Sequence, residues 1–364
     1  MTVTDLSVHA YTIPTDQPEA DGTLSWDTTT MVTVMVTDGT HQGLGWTYAG
    51  TGAVTVVTDH LAEVVNGADS AEIPRLAEAM ARACRNLGRP GLVACAISAV
   101  DIALWDLRAR QLGLSLGELF GRARASVPVY GSGGFTTYDD QTTIDQLTTW
   151  VADWGIPRAK IKIGQSWGSD PSRDLARVAL AREVVGDGEL YVDANGAYRM
   201  KQAARLGRVM AGDYDVSWFE EPVSSDDLAG LREVRHQFAG DVAAGEYGYT
   251  LDYFAKMLDA GAVDCLQADV TRCGGYSVWR QVAALADARH LQISGHCAPN
   301  LHAHVALSVP NLRHVEYFHD HHRIETMLFD GTLPPNGGEM TPDPASVGHG
   351  LTLRVEDAAP YRVA

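Results

Sequence analysis

Leu190-Tyr191-Val192-Asp193 is one of three short apolar segments that each close on a carboxylate, and the other two end at Glu220 and Glu246. Each segment has strand character and is followed by a stretch of helical period, which predicts parallel strands joined by crossover helices. The three acids recur roughly 25 residues apart, about one strand-helix unit of a TIM-type barrel. Since such barrels hold their chemistry at the carboxyl ends of the strands, we expect all three acids at one mouth.

A divalent cation explains why three acids would share this position. Neighbouring parallel strands lie about 4.8 Å apart, so the carboxylates would repel one another in a partly dry mouth without a positive charge among them. Mg²⁺ prefers oxygen ligands in octahedral geometry and leaves positions for water or substrate. Three unrelated capping or salt-bridging acids are the alternative. The repetition favours one Mg²⁺ ion per subunit, held by Asp193, Glu220 and Glu246.

Composition sets the class of protein. The chain has 364 residues, 45% hydrophobic and 20% charged, enough for a barrel of about 200 residues and a second domain. A net charge of −18 without a basic stripe argues against a nucleic-acid partner, and no apolar run has the length of a membrane span. No signal peptide opens the chain. Five cysteines without metal-ligand spacing predict reduced thiols in a cytoplasmic protein: Cys84, Cys95, Cys265, Cys273 and Cys297.

The N-terminal part is predicted as an α+β domain over residues 1–123. Alternating residues predict strands at 2–14 and 28–36, separated by a polar loop, Asp16–Asp27, which contains Trp26. Helical period covers 54–65, 72–86 and 92–112. Loops on a rigid scaffold often contact ligand, so Trp26 and Tyr48 are candidate substrate contacts, with plain linker as the alternative.

The barrel is predicted over residues 124–323. Its first two strands begin at Val127 and Ala159, the acid-bearing strands follow, and the last three lie at 263–268, 291–294 and 314–317. Helical segments separate them, at 174–185, 201–210, 228–238, 250–260 and 277–289. The segment 324–364 is rich in proline and glycine and is expected to return to the first domain.

Proton-handling groups flank the metal acids. Lys160 and Lys162 share one face of the strand before Asp193, where mutual repulsion and burial would lower their pKa values and fit a lysine of this pair as a general base. The alternative is a pair of surface lysines. Asp269 and His296 end adjacent strands, so the carboxylate can fix the imidazole tautomer. A satisfied core histidine is the alternative there.

Other polar side chains complete the predicted mouth. Glu316 ends the eighth strand opposite the metal acids, and in protonated form it could donate a hydrogen bond to a developing oxyanion. Asn195 could contact substrate or support the metal ligands. Arg272 could orient a carboxylate or lie in a solvated loop. The run His319–His322 is interpreted as a polar loop in which His319 is a possible substrate contact.

These positions together resemble the enolase superfamily, specifically its mandelate racemase subgroup. Lys-x-Lys, the three metal acids, the Asp/His pair and the final glutamate all occur in order over nearly the whole chain. The resemblance implies an α/β fold, a modified TIM barrel (β/α)₇β with an α+β N-terminal capping domain, and a homo-oligomer. It also implies that Lys162 and His296 are the two bases, that Asp269 supports His296 and Lys160 tunes Lys162, and that Glu316 is the electrophilic partner.

The resemblance further implies Mg-dependent removal of the α-proton of a small carboxylate substrate through an enediolate. Our first hypothesis is an acid-sugar dehydratase acting on an aldonate or aldarate, in which His296 protonates the departing β-hydroxyl. A racemase, epimerase or lactone cycloisomerase is the alternative, because two opposed bases suit it equally. A non-catalytic binding protein is a third hypothesis, from another class.

Overall fold

The computed structural model describes every residue, Met1–Ala364. Its N-terminal sheet contains three antiparallel strands, β1 (Asp5–Ala20), β2 (Ser25–Thr37) and β3 (Gln42–Tyr48). The polar loop predicted over Asp16–Asp27 is mostly the two arms of a hairpin, since Glu19 pairs with Trp26. Only a tight turn remains between the arms. Asp21 Oδ1 builds it by accepting hydrogen bonds from the backbone N–H groups of Thr23 and Leu24, at 2.6 and 2.7 Å.

The predicted helices of the N-terminal part are present with small shifts. One runs over 52–65, α-helical at Gly52–Val56 and Ala62–Val65 and π-helical at Val57–Leu61, and others span Ile73–Ala83, Leu92–Leu112 and Leu116–Phe120. The helix Leu92–Leu112 packs directly on β3, where a Cβ at Gly43 or Gly45 would lie 2.2 Å from a helix carbonyl oxygen. Glycine is therefore required on β3 for this approach.

Eight parallel strands form the closed barrel. They are β4 (Val127–Gly133), β5 (Arg158–Lys162), β6 (Glu189–Asp193), β7 (Val216–Glu220), β8 (Asp241–Ala244), β9 (Cys265–Ala268), β10 (Gln292–Gly295) and β11 (Leu312–Phe318). Each strand pairs with the next, and β11 pairs with β4 to close the ring. The register places Lys162 opposite Asp193 and Asp193 opposite Glu220, so these side chains lie at one level of the mouth.

Helices surround the barrel as the strand-helix alternation predicts. They span Asp140–Thr148 with a π-helical end at Thr149–Asp153, and Gln165–Gly168, Pro171–Val185, Met200–Tyr214, Leu228–Gln237, Leu251–Asp259, Gly275–Asp287, Pro299–Ala306 and His319–Leu328. The prediction of a polar loop at His319–His322 is wrong, because these residues form the first turn of the last of these helices. That helix buries Ile324 and Leu328. Its apolar face is too short to be recognised in the sequence.

Below the mouth, the barrel interior is filled by large side chains. Tyr130, Tyr191 and Trp218 form one buried cluster, and the buried Lys160 lies 5.3 Å above the Tyr130 ring. The polar side chains of the mouth therefore lie above a layer of packed aromatic rings. No helix is both long enough and apolar enough to cross a membrane.

The C-terminal segment runs back along the molecule. Two short strands, Phe329–Asp330 and Thr352–Leu353, pair with each other, and Glu339–Met340 adds an antiparallel edge to β4. The segment ends in the helix Val355–Ala358 and the 3₁₀ turn Ala359–Tyr361. The carbonyl of Ala364 accepts a hydrogen bond from the backbone N–H of Ala10 at 2.9 Å, which brings the chain end to β1. All five cysteines are buried and unpaired, as expected.

Candidate active site

Three carboxylates converge at the carboxyl ends of β6, β7 and β8. Asp193 and Glu220 are the last residues of their strands, and Glu246 lies two residues beyond the end of β8. All three are buried, and one oxygen from each lies within 4.8 Å of the others. Oxygens this close to one another can bind a single ion between them. Three carboxylate oxygens are ligands that suit a hard divalent cation such as Mg²⁺.

Hydrogen bonds hold the orientation of two of these acids. The backbone N–H of Asn195 donates to Asp193 Oδ1 at 2.8 Å, and the indole N–H of Trp218 donates to Glu220 Oε2 at 2.9 Å. Asn195 adopts a left-handed backbone conformation, φ 45°, which turns its N–H back toward Asp193. Burial raises the pKa of Glu220 to about 8, against the opposing effect of Lys160. These two hydrogen bonds fix the directions of the Asp193 and Glu220 carboxylates.

Lys160 and Lys162 both point into the mouth, as predicted. Lys162 Nζ lies 2.5 Å from Asp193 Oδ2, while Lys160 Nζ contacts Glu220 and lies 2.8 Å from Glu316 Oε1. The expectation that the lysine pKa values are depressed does not match this geometry. Burial lowers both pKa values, but the neighbouring carboxylates outweigh this effect. Glu220 raises the pKa of Lys160, and Asp193 raises the pKa of Lys162.

His296 and Asp269 form the predicted pair across adjacent strand ends. His296 Nδ1 lies 2.9 Å from Asp269 Oδ2, and Thr271 anchors that carboxylate through two further hydrogen bonds of 2.7 Å. His296 Nε2 is directed at the three-carboxylate cluster, 3.2 Å from Glu246 Oε2. Burial lowers the pKa of His296, but the carboxylates of Glu246, Glu316 and Asp269 raise it well above its usual value. The imidazole therefore carries a proton next to the mouth.

Glu316 lies between the two sets of bases. Its Oε1 accepts from Ser132 Oγ at 2.6 Å as well as from Lys160, and its Oε2 accepts from the backbone N–H of Cys297 at 3.0 Å. These contacts do not favour the protonated form of Glu316 that the sequence predicts. Burial raises its pKa, but Lys160 and His296 lower it well below the usual range, so the carboxylate is ionised.

A cavity of ≈ 420 Å³ opens above these groups. The predicted substrate contacts Asn195, Trp26 and Tyr48 line it together with Lys162 and His296. Trp26 is fixed by a 2.8 Å hydrogen bond from its indole N–H to Glu19, and Tyr48 stacks on His321 with ring centroids 3.4 Å apart. His319 lies outside this cavity. It binds Asp16 at 3.0 Å and lines a different one, because its helix turns it away from the mouth.

Sequence reasoning missed several residues of the cavity. Cys297 follows His296 in a left-handed conformation, φ 52°, and its Sγ lies 3.3 Å from both His296 Nε2 and Glu316 Oε2. Its only signal was its place directly after a predicted base. Asp21, Tyr247 and His321 also line the cavity, and each lies in a turn or helix whose direction follows from packing rather than from local pattern.

Known protein families match the N-terminal part and the barrel of this chain separately. Residues 6–121 match the family described as "Mandelate racemase / muconate lactonizing enzyme, N-terminal domain", and residues 142–358 match "Enolase C-terminal domain-like". A solved mandelate racemase/muconate lactonizing enzyme-like protein from Rubrobacter xylanophilus is 48% identical, with a TM-score of 0.95 over 100% of both chains.

Two relatives with named activities are similar over most of the chain. The 3,6-anhydro-alpha-L-galactonate cycloisomerase of Streptomyces coelicolor is 33% identical and covers 90% of each chain. The L-talarate/galactarate dehydratase of Salmonella typhimurium is 30% identical over 87% of this chain and 78% of its own. A structure of the dehydratase liganded with Mg and L-lyxarohydroxamate matches at 25% identity with a TM-score of 0.90, over 100% of this chain and 93% of that one.

Proposed function

This chain belongs to the mandelate racemase/muconate lactonizing enzyme family of the enolase superfamily, and on that premise we propose that it is a magnesium-dependent acid-sugar dehydratase. One observation carries the proposal. Both proton-handling groups touch the three-carboxylate cluster, Lys162 at Asp193 and His296 at Glu246, at 2.5 and 3.2 Å. A substrate carboxylate placed at that cluster therefore has its α-carbon between two bases.

We assign Asp193, Glu220 and Glu246 as the metal ligands. When bound, a divalent cation would offset the charge of these carboxylates, loosen the hold of Asp193 on Lys162 and stabilise negative charge that develops on the substrate carboxylate. The neighbouring Lys160 remains paired with Glu316 and keeps one positive charge fixed beside the reacting centre.

The chain's own groups then divide the proton transfers. Lys162 accepts the α-proton from C2 through its neutral amine. His296 gives its Nε2 proton to the hydroxyl on C3, which leaves as water, and the resulting enol becomes a 2-keto-3-deoxy acid. Asp269 keeps the proton on Nδ1, so that Nε2 remains the reactive nitrogen. The neutral thiol of Cys297, whose pKa burial raises, packs against the same nitrogen and helps to exclude water.

The same groups also suit a cycloisomerase, and the similarity to the Streptomyces coelicolor cycloisomerase favours this as a second candidate. In that reaction one base removes a proton while the other returns one, and no water is lost overall. A racemase or epimerase would use the opposed bases in the same manner. The identity of the product, rather than the site, separates these reactions.

A screen of aldonates, aldarates and their lactones or anhydro forms tests the proposal. We expect a 2-keto acid, 18 mass units lighter than the substrate because one water is lost, in the presence of Mg²⁺ and none with excess chelator. An isomer of unchanged mass with solvent deuterium at the α-carbon would indicate the second candidate. If no compound reacts, and if replacing Lys162 and His296 with alanine leaves a measured cellular role intact, a non-catalytic binding protein is indicated.

Two further proposals concern organisation. We propose the division into a capping part (1–123), a barrel (124–323) and a returning segment (324–364), supported by the start of β4 at Val127 and by the contact of Ala364 with Ala10. The helix His319–Leu328 crosses the second boundary, so the last division falls within a continuous element. We also propose a homo-oligomer on the strength of the family resemblance, and light scattering during size-exclusion chromatography tests it.

A further inference from the structure

We propose that the substrate of this site carries a single carboxylate, and that the rest of its chain bears neutral hydroxyl or ether groups. This inference rests on the proposed function, since it places the substrate carboxylate at the Asp193, Glu220 and Glu246 cluster. It selects sugar acids of the aldonate type, including their cyclic ethers, and excludes the dicarboxylic aldarates. The argument depends on the charges that remain free to meet a second carboxylate.

Every cation that lines the cavity already has an acidic partner. Lys162 binds Asp193 at 2.5 Å, and His296 binds Asp269 at 2.9 Å. Arg272 lies 3.6 Å from Glu246 Oε1 and 3.5 Å from Asp269 Oδ2, so its charge is shared between two carboxylates. His321 also lines the cavity, but burial lowers its pKa to about 3 and leaves it neutral. No free positive charge remains for the far end of a substrate.

The covering wall of the cavity is acidic instead. Asp21 lines the cavity from the tip of the hairpin, and while Oδ1 is used by the turn, its Oδ2 has no hydrogen-bond partner in the protein. The hairpin segment 16–27 that covers the mouth contains four acidic residues and no lysine or arginine. The second covering segment, 48–52, carries no charge. A second substrate carboxylate beside Asp21 would meet a like charge with no unpaired cation to offset it.

The adjoining cavity gives no better site for an anion. It measures ≈ 530 Å³ and shares Asn195 and Tyr247 with the first, so a long substrate could extend into it. Its lining includes the acids Glu221 and Asp226 and no lysine, arginine or histidine. Neutral polar groups without a partner in the protein are present by contrast. Side chains that suit a polyol chain line the two cavities, namely Thr28, Tyr249 and Asn195, whose buried Oδ1 is unpartnered.

Matched pairs of sugar acids test this inference. Galactonate against galactarate, and gluconate against glucarate, differ only in the oxidation state of the terminal carbon. Burial raises the pKa of the Asp21 carboxyl, so the assays are run at pH 8, well above the usual range of a carboxyl group. We expect kcat/KM to be about tenfold or more higher for the monoacid of each pair that reacts, because two like charges in a partly dry cavity cost roughly that factor.

Two variants of the hairpin locate the effect. D21N keeps the Oδ1 acceptor of the turn but removes the charge, and it should narrow the preference for the monoacid several-fold. D27N removes the same charge from an exposed residue of the same hairpin that does not line the cavity, and it should leave the preference unchanged. The wild-type ratio alone decides the inference if D21N fails to fold.

The outcomes separate the two claims. Turnover of aldarates as fast as aldonates would overturn the single-carboxylate inference and leave the proposed dehydratase intact. Turnover of no sugar acid in either series would overturn the proposed function and this inference with it. Equal narrowing by D21N and D27N would show that overall charge, rather than the lining of the cavity, sets the preference.

Discussion

Replacing Asp101 with asparagine should remove a pH-dependent destabilisation where the N-terminal part meets the barrel. Asp101 lies on the helix Leu92–Leu112 and is fully buried. Its carboxyl group accepts hydrogen bonds from the backbone N–H of Ser277 at 3.0 Å and from Ser277 Oγ at 2.5 Å, and it forms no salt bridge. Burial raises its pKa to about 7, against the opposing effect of these hydrogen bonds.

The sign of the effect follows from linkage. The folded state holds the Asp101 proton up to its raised pKa of about 7, whereas the unfolded chain releases it near the ordinary aspartate pKa of 3.8. Between these values the folded state binds more protons, so stability is full at low pH and falls as pH rises. Roughly three units of difference correspond to about 4 kcal/mol, of which about 3 kcal/mol is lost between pH 5 and pH 8. Asparagine does not ionise and avoids this loss.

Urea unfolding at pH 5 and pH 8, at constant ionic strength, measures the effect. The free energy of unfolding of D101N minus that of the wild type should increase by about 3 kcal/mol between the two pH values. D213N, at an exposed aspartate on the helix Met200–Tyr214, serves as the matched control and should show no such change. Parallel pH dependences of wild type and D101N would refute the reasoning, because Asp101 would then be ionised at no cost.

Three other substitutions probe the site and its frame. D269N should lower kcat about a hundredfold while Mg²⁺ affinity changes little, because the imidazole of His296 loses the hydrogen-bond acceptor at Nδ1. Steady-state kinetics measure the change in kcat, and calorimetry measures the Mg²⁺ affinity. E220Q should weaken Mg²⁺ binding at least tenfold in calorimetry, because the affected oxygen belongs to the three-carboxylate cluster. G131A should destabilise the barrel by about 1 to 3 kcal/mol in urea unfolding, since its Cβ would lie 2.5 Å from the Trp150 ring.

The sequence predicted the elements of the barrel because local pattern determines them. Parallel strands with crossover helices repeat at a regular length, so a polar residue at the end of an apolar strand has one possible location. Asp193, Glu220, Asp269 and His296 were all placed correctly at the mouth on that ground alone. The helix Leu92–Leu112 was also predicted with the bounds that it has, since its length and Gly113 leave little choice.

Electrostatic details could not be predicted in the same way. The pairing of Lys160 with Glu316 joins residues far apart in sequence and exists because β11 closes the ring on β4. Considered without that pairing, two neighbouring lysines are expected to have lowered pKa values, and Glu316 is expected to be protonated. With the pairing, the pKa of Lys160 is raised and that of Glu316 is lowered. The hairpin formed by the ends of β1 and β2 could not be predicted either. The pairing of Glu19 with Trp26 lies beyond a register shift, and that shift interrupts the alternation of apolar and polar residues.

The charges of the mouth explain why one divalent ion and one substrate carboxylate fit together. Six carboxylates surround it, those of Asp193, Glu220, Glu221, Glu246, Asp269 and Glu316, against four cationic groups, those of Lys160, Lys162, Arg272 and His296. The excess of two negative charges is visible in the raised pKa values of Glu220 and Glu221, where burial and neighbouring carboxylates act together. One divalent cation balances these two charges, while Asp21 in the covering hairpin adds a further negative charge to the cavity. A single substrate carboxylate then adds one charge at the cation, whereas a second carboxylate has no positive group to meet. The same balance therefore accounts for the metal and underlies the proposed selection of a monoacid.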